Sequence, residues 1–481
     1  MTTDQSDGPA PEEGPKRSWI AGFLDRLRHP NESAVRRHAA TTPFAWVYAI
    51  VLGIAGFQIY ADPLGFDGVT ESYSQQLINL TLTGPLYPDT GRDDVAVALI
   101  EDQSLEYLSM NWPWPYSEHA RALDAILAYG PKAVAVDILF ADTRDDASLE
   151  QLLFVIDRYQ RFGVPLYFVG SPNIMPPVRQ EILDSSAVIV AGTINLFDGV
   201  ARQYPETVDC LDGRGVHCPS LAVRIYEDLY GVDIPRADDD ETALELIWGT
   251  DTHPVNRHWM RVQIGNDPDA ECPQDVGIIT RVYRALIDVD RLRSPCMYTG
   301  TTSVEDLLIG APDDDLPTLI EGNIVFYGAK LEGSADLAFT PTNGLLAGVY
   351  VHAMALDNII AFNGKPKRNT ITLFGITFGN DGIKTFVAAI ILFITAFFNI
   401  GHLRQDASTP GDQNIGAGRR FQWYGTLFAM TLGSGLILYF VFGLSISNWI
   451  ELVFITGLLF ELLISSFLGT WWGRFRYASG F

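Results

Sequence analysis

Basic residues are scarce in this chain. Its 481 residues include 33 lysines and arginines against 58 aspartates and glutamates, which gives a formal net charge of −25. This balance argues against a nucleic-acid-binding protein, because such a protein needs a basic face that displaces counterions. Charged residues make up only 19% of the chain, while 47% of it is hydrophobic. A mostly disordered chain is therefore also excluded, since it would lack apolar residues to bury.

Enzyme signatures are largely absent as well. The sequence contains no phosphate-binding loop, no nucleophile elbow, no zinc-protease helix and no dinucleotide fingerprint after a strand. We therefore expect a protein that is not an enzyme and that holds no cofactor and no resident metal. An exported enzyme that uses Glu101, Asp102, Asp137 and His352 is the alternative.

Long apolar runs, in contrast, are present. Crossing a bilayer takes about 20 apolar residues, and four runs approach or reach that length: residues 43–60, 384–403, 421–443 and 448–471. They predict four transmembrane helices. Glu461 would lie near mid-membrane, where a carboxylate is costly and is a candidate functional residue. We expect it to contact another helix or to hold a polar group of a partner subunit.

Lysines and arginines precede the first run, separate the second from the third, and follow the fourth. Because short cytoplasmic segments carry such residues, we place residues 1–42, 404–420 and 472–481 in the cytoplasm. Residues 61–383 then lie outside the inner (plasma) membrane. This segment has 48 acidic and 21 basic residues, 21 − 48 = −27, and the rest of the chain has 10 and 12, 12 − 10 = +2. Solubility explains this acidity most simply, and a site for a cation or basic partner is the alternative.

All four cysteines also fall within residues 61–383. An even number of cysteines confined to an oxidising compartment indicates disulfides. We predict Cys210–Cys218 and Cys272–Cys296, because each pair closes a local loop. Other pairings remain open, and so does a zinc site, since His217 adjoins Cys218, although the spacing fits no common zinc motif.

The exported segment alternates apolar strands with helices. Strands that are apolar on both faces and that alternate with helices indicate a mainly parallel sheet covered on both sides. Residues 200–300, rich in proline and glycine, indicate a disulfide-bearing elaboration of this α/β domain. We predict strands at 94–100, 132–140, 164–169, 187–192 and 323–327, and helices at 116–129 (capped by Ser117), 147–162, 176–185, 219–230 and 351–362.

Ligands of open parallel sheets bind beyond the carboxyl ends of the strands. Glu101, Asp102 and Asp137 fall at such ends and are candidate ligand-binding residues. The alternative is structural: Asp102 would cap the next helix and Asp137 would tie a loop to backbone N–H groups. Trp112 and Trp114, in the stiff NWPWP corner, either form a pocket wall or pack in the core.

The segments DDVAVALIEDQSLEYL, NWPWPYSEHARALDAILAYGPKAVAVDILFAD and GNIVFYGAKLEGSADLAFTPTNGLLAGVYVHAMALDNII resemble the CHASE domain of the second type. That family is an exported sensory module of bacterial cyclases and histidine kinases. The resemblance covers residues 90–362, and it implies that Asp336, Thr340 and His352 join the candidate ligand-binding residues. Its signature positions are Asp137, Phe140, Gly328, Asp336, Thr340, Pro341, Gly348, His352, Asp357 and Asn358.

The resemblance implies a membrane sensor or receptor subunit that relays a signal across the bilayer. Well-known members continue into an output domain, whereas only residues 474–481 follow the last predicted span here. We therefore expect a separate effector protein, and a homodimer is a further possibility. The alternative is a structural or accessory subunit of a larger membrane or envelope assembly.

Overall fold

The computed structural model describes part of the chain. Within that part, no helix has both the length and the apolar character that crossing a bilayer requires. The four predicted spans, Glu461 included, lie outside the described residues except at 50, 433, 437 and 466–471. The described residues are 19–29, 31, 50, 76–141, 146–171, 176–185, 188–192, 201–211, 218–235, 243–256, 277–288, 292–294, 296–310, 315–331, 336–368, 370–373, 376–379, 433, 437 and 466–479.

Helices and strands alternate along most of the described chain. The helices are α1 (Trp19–Arg28), α2 (Asp102–Leu108), α3 (Tyr116–Ala128), α4 (Leu149–Phe162), α5 (Gln180–Leu183), α6 (Leu221–Tyr230), α7 (Ile278–Ile287), α8 (Val304–Ile309), α9 (Asp315–Ile320), α10 (Val349–Ala361) and α11 (Ser466–Ser479). The strands are β1 (Val95–Glu101), β2 (Ala133–Val136), β3 (Leu166–Gly170), β4 (Val188–Gly192), β5 (Gln203–Pro205), β6 (Thr207–Val208), β7 (Cys218–Pro219), β8 (Ala243–Glu245), β9 (Gly300–Ser303), β10 (Ile324–Lys330), β11 (Leu337–Thr340), β12 (Gly344–Ala347), β13 (Thr370–Leu373) and β14 (Ile376–Gly379). A π-helical turn, Asn79–Thr83, and a 3₁₀ turn, Arg92–Asp94, precede β1.

The chain divides into two compact units. One comprises Met1–Asp67, Asp381–Gly435 and Trp449–Phe481, and in it the Phe23 ring of α1 packs edge-on against Phe475 of α11, with centroids 6.3 Å apart. The other comprises Gly68–Asn380 and Leu436–Asn448. It contains the sheet described next.

Six strands of the described chain form one sheet in the order β4-β3-β2-β10-β1-β9. Each neighbouring pair is parallel. The prediction of an α/β domain with a mainly parallel sheet is therefore confirmed. The edge strand β9 was not predicted, because its sequence GTTS has no apolar run. Strand β2 ends at Val136, earlier than the predicted 132–140.

Side chains alternate between the two faces of this sheet, and both faces are covered. In β1, Val95, Val97 and Leu99 join a core with helices α6 and α10. The residues between them, Ala96 and Ala98, join a second core with α3, α4, α8 and α9. Since both faces are covered, the central strands are apolar along most of their length, as is typical of buried parallel strands. The edge strand β9 is the exception.

Helix α10 crosses the first of these cores. All residues from Val349 to Ile359 are buried, which is typical of a helix that is apolar on all sides. Gly328 of β10 permits its close approach, because a Cβ atom there would lie 2.7 Å from the Cβ of Val349. This helix carries His352, Asp357 and Asn358.

The segment around residues 200–300 forms small antiparallel pairs, β5 with β8 and β6 with β7. The predicted disulfide between Cys210 and Cys218 is present, which excludes zinc binding by these two thiols. Cys296 is also disulfide-bonded, and Cys272, its predicted partner, lies outside the described residues. Helix α6 packs on the main sheet, so this segment contributes to the central core.

The predicted cap of α3 is wrong. Ser117 lies inside the first turn, and Pro115 occupies the N-cap position. Proline has no side-chain acceptor, so the first N–H groups bond elsewhere. Asp146 Oδ2 accepts from the Tyr116 N–H at 2.9 Å, and Ser148 Oγ accepts from the Ser117 N–H at 3.0 Å.

Candidate functional site

Asp137 lies directly after the carboxyl end of β2. Its backbone N–H donates to the Tyr327 carbonyl of β10 at 2.8 Å, so sheet bonding fixes its position. Its side chain is 12% exposed, which leaves the carboxylate almost buried but within reach of solvent. This is the edge at which open parallel sheets bind ligands.

Asp336, in the segment before β11, lies near Asp137 at the same edge of the sheet. Its carbonyl accepts from the Gly348 N–H at 3.1 Å, and Gly348 is the N-cap of α10. A Cβ atom at position 348 would overlap the Asp336 carboxylate, so only glycine allows this approach. The negative charge lies beside a helix N-terminus, where the helix dipole favours it.

His352 is fixed in the first turn of α10. Its Nδ1 lies 2.8 Å from the Tyr204 hydroxyl, which accepts from the Ala222 N–H at 3.0 Å. Because a hydrogen on Nε2 would point its positive end toward the Asp137 carboxylate, we assign the Tyr204 proton to the bond with Nδ1. The neutral imidazole then carries its hydrogen on Nε2.

The Nε2 atom of His352 lies 3.7 Å from Oδ1 of Asp137. Burial raises the pKa of Asp137 to about 7. Partial burial, and then the charge of Asp137, raise the pKa of Asp336 to about 6. Burial lowers the pKa of His352 to about 4, although the nearby Asp336 opposes this shift. Near neutral pH the site thus combines an uncharged imidazole with two carboxyl groups that take up protons easily.

We call Asp137, Asp336, His352 and Tyr204 the carboxyl-edge cluster. The 3.7 Å separation between Nε2 and Oδ1 is longer than a hydrogen bond, so neither atom satisfies the other. A polar group that donates to a carboxylate and accepts from Nε2–H would satisfy both. Among the described residues, no group of three or more His, Cys, Asp or Glu side chains is placed to hold a metal ion.

Three of the predicted ligand-binding residues, Asp137, Asp336 and His352, therefore meet in this cluster. Glu101 has different contacts: it is the N-cap of α2, and its N–H donates to Ser104 Oγ at 3.0 Å. The Ser104 hydroxyl in turn donates to the buried Glu305 carboxylate. Asp102 is the exposed first residue of α2 and not its cap, so the capping alternative for Asp102 is wrong.

The two tryptophans lie on the side of the sheet that α3 and α4 cover, opposite the side covered by α10. Trp114 is completely buried in the core formed with α3 and α4, which confirms its packing alternative. Trp112 is 38% exposed, and its ring lies edge-on to His119 with centroids 5.9 Å apart. His119 Nδ1 lies 2.9 Å from the Tyr327 hydroxyl. This corner supports the helix α3 face and does not line the carboxyl-edge cluster.

Thr340 closes the turn between β11 and β12. Its hydroxyl donates to the Gly344 carbonyl at 2.9 Å and accepts from the Asn343 N–H at 3.2 Å. The residue is fully buried. These contacts give it a structural role in the hairpin, so the structure does not place it among the groups that face a ligand.

Sequence reasoning missed Tyr204. This residue lies in β5, within the segment interpreted as an elaboration, and its hydroxyl meets His352 across 148 positions of sequence. No local pattern marks such a contact. The only signal available in the sequence was a tyrosine in a short β-rich run, and many residues of protein cores have that same signal.

A second polar group lies further along α10. The Asn358 amide donates to the carbonyls of Ile247 at 3.0 Å and Met354 at 2.8 Å, and it accepts from the Ile247 N–H at 3.0 Å. Oδ1 of Asp357 accepts from the Tyr87 hydroxyl at 2.8 Å. Its buried Oδ2 has no hydrogen-bond partner among the described residues. Burial raises the pKa of Asp357 to about 8.

The parallel sheet, covered by helices on both faces, defines an α/β domain. The CHASE2 domain profile matches residues 46–394, and the chain belongs to this family of bacterial extracytoplasmic sensory domains. The resemblance drawn from residues 90–362 is thereby confirmed. Comparisons with curated proteins and with solved structures find no significant match.

Proposed function

We propose that this protein is a transmembrane sensor of the bacterial inner membrane. Its exported domain would bind a signal molecule or a partner at the carboxyl-edge cluster. The four apolar runs would anchor it, with both termini in the cytoplasm, and would pass the change to a separate effector. Membership of a sensory family supports this role, and the distribution of lysine and arginine supports the orientation.

The observation that carries the proposal is the convergence of Asp137, Asp336 and His352 at one sheet edge. Nε2 of His352 and Oδ1 of Asp137 lie 3.7 Å apart in a nearly buried site, and a ligand that bonds to both atoms there would be held strongly, since buried hydrogen bonds are strong. His352 stands on α10, which continues through the core to Asp357 and Asn358. A ligand that binds one arrangement of this helix more tightly would shift its equilibrium.

A ligand screen tests the binding step. The full chain in lipid nanodiscs would be exposed to small amines, sugars and divalent cations while its melting temperature is recorded. At 100 times its Kd, a ligand stabilises the folded state by about 2.7 kcal/mol, which corresponds to a rise of several degrees. We expect Asp137→Asn and His352→Gln to abolish the rise, and the exposed Asp233→Asn to retain it.

The outcomes separate the competing functions. A rise that all variants retain places the ligand elsewhere and contradicts the assignment of the cluster. An absence of any rise across the panel favours an accessory subunit. Turnover of a probe that is lost in Asp137→Ala, with folding preserved, would instead support an exported enzyme.

Affinity purification tests the relay step. The chain extracted from native membranes would be purified with and without the ligand found in the screen. We expect a cytoplasmic or membrane effector to co-purify, in an amount that depends on the ligand. Isolation of the chain alone under both conditions contradicts the relay.

A further inference from the structure

Helix α7 has an unusual distribution of side chains. Its residues Ile279, Val282, Tyr283 and Ile287 lie on one face, at helical spacing, and Ile279 is 87% exposed. The opposite face buries Ala285 against Leu80 and directs the Arg281 guanidinium to the Leu80 carbonyl at 3.5 Å. The larger apolar side chains of α7 therefore face away from the domain, whereas a surface helix normally buries them.

The charge of α7 differs from that of its surroundings. The helix contains Arg281 and Arg284 and no acidic residue, whereas residues 61–383 carry a net charge of −27 by the count above. Arg284 is exposed beside the apolar face. Helices with an apolar face bordered by basic side chains bind the boundary between lipid headgroups and acyl chains, and Arg284 is the basic side chain in that position, since Arg281 is buried.

The position of α7 in the domain points to the same partner. It packs on the turn Asn79–Thr83, and the Asn79 amide bonds the backbone of Trp248, donating to its carbonyl at 2.8 Å and accepting from its N–H at 3.0 Å. Three residues earlier, the Glu245 N–H donates to the Lys367 carbonyl at 2.8 Å. The segments by which the chain enters and leaves the domain thus meet on residues 245–248. Both lead, in sequence, toward predicted spans.

We propose that α7 lies on the outer leaflet of the bilayer, with Ile279, Val282, Tyr283 and Ile287 among the upper acyl chains and Arg284 at the phosphates. The helix would hold the side of the domain where the chain enters and leaves against the membrane. This inference rests on the membrane anchoring in the proposed function, and it does not depend on the carboxyl-edge cluster.

Photo-labelling by lipid tests the contact. The full chain would be placed in nanodiscs of phosphatidylethanolamine and phosphatidylglycerol that contain a lipid with a photoreactive diazirine in its acyl chain. We expect label on the peptide covering residues 278–287 as well as on the predicted spans. Label at 278–287 should be lost in Ile279→Asp and in the milder Ile279→Ser, whose exposed position leaves folding intact.

The matched control is Phe162→Asp, which changes another exposed apolar residue at the end of α4 and should leave the labelling unchanged. Label on the spans without label on residues 278–287 overturns the proposal for α7 and leaves the sensor proposal standing. A chain with no lipid label at all overturns both.

Discussion

The two ends of α10 use polar side chains in different ways. At Asn358 the amide makes three hydrogen bonds to backbone groups in a fully buried site. At His352 one ring nitrogen is bonded to Tyr204, while the other faces Asp137 across 3.7 Å. The Asn358 side chain is fully hydrogen-bonded within the protein. In the proposed function, a ligand bonds to the polar atoms at the His352 end.

Under the proposed function, this difference separates polar groups that hold the fold from polar groups that bind a ligand. A buried polar group that is satisfied stabilises a particular arrangement of the chain, and a group left partly satisfied is retained at a stability cost. Asp357, one residue before Asn358, is intermediate, because only one of its two carboxylate oxygens is bonded. The following experiments test whether the two ends differ as this comparison requires.

The largest effect is expected from Asn358→Leu. The substitution leaves the N–H and the carbonyl of Ile247 without their partner, and each such buried group costs about 1–3 kcal/mol. We expect the free energy of unfolding to fall by about 4 kcal/mol, measured by urea titration of the purified chain. Ligand binding by the molecules that remain folded should persist, because the carboxyl-edge cluster is untouched.

The matched control is Asn323→Leu. The Asn323 amide makes one hydrogen bond, to the Leu319 carbonyl at 2.9 Å, and is only partly buried. Its loss should lower the free energy of unfolding by about 1 kcal/mol. If both substitutions lowered the free energy of unfolding by the same amount, the three buried hydrogen bonds of Asn358 would contribute no more than one partly buried bond.

Asp357 should make stability depend on pH. The folded carboxyl keeps its proton up to a pKa of about 8, whereas the unfolded one releases it near 3.8. The folded state therefore binds more protons between these values, so this group's contribution to stability is complete at low pH and declines as pH rises. Between pH 5 and pH 7, the wild type should lose about 3 kcal/mol relative to Asp357→Asn.

Urea titrations at pH 5, 6 and 7 measure this difference. The shifted groups of the carboxyl-edge cluster are present in both proteins, so their contributions cancel in the comparison. Asp233→Asn, which alters an exposed carboxylate, should keep the wild-type dependence. If the free energy of unfolding changed with pH by the same amount in the wild type and in Asp357→Asn, the buried carboxyl would have to be charged in the folded protein.

The strands and helices of the domain could be predicted from the sequence better than the contacts between their side chains. The strands and helices of the sheet were identifiable because each has a continuous apolar run or a helical period, as at 116–129 and 351–362. Strand β9 lacked such a run. Asp137, Asp336 and His352 could be proposed as site residues from strand ends and from the family resemblance.

The contacts that complete the site depend on residues far apart in sequence. Tyr204 and Ala222 come from an apparently irregular region, and they are brought to His352 only because α6 and α10 pack on the same face of the sheet. Thr340 was proposed from the family resemblance, and Trp114 was proposed either for a pocket wall or for the core. Neither signal distinguishes a residue of a turn or a core from one that lines a pocket.

Tyr204→Phe has the smallest expected effect among these predictions, and it tests the end of α10 that carries His352. Removing the hydroxyl deprives His352 Nδ1 of its donor and the Ala222 N–H of its acceptor, which should cost about 2 kcal/mol of stability. The tyrosine donates to the neutral ring, so its loss makes protonation easier. Burial, which holds the pKa of His352 at about 4, is unchanged by this substitution, so we expect only a small rise in that pKa.

Imidazole ¹⁵N shifts of the histidine-labelled chain measure both the tautomer and this titration, with His352→Gln identifying the signal. In the wild type we expect hydrogen on Nε2 and a lone pair on Nδ1, and in Tyr204→Phe a mixture of tautomers. Tyr107→Phe, which removes an exposed hydroxyl, should leave the spectrum unchanged. Hydrogen on Nδ1 in the wild type would turn the unprotonated Nε2 toward Asp137, and the cluster would then accept from a ligand rather than donate to it.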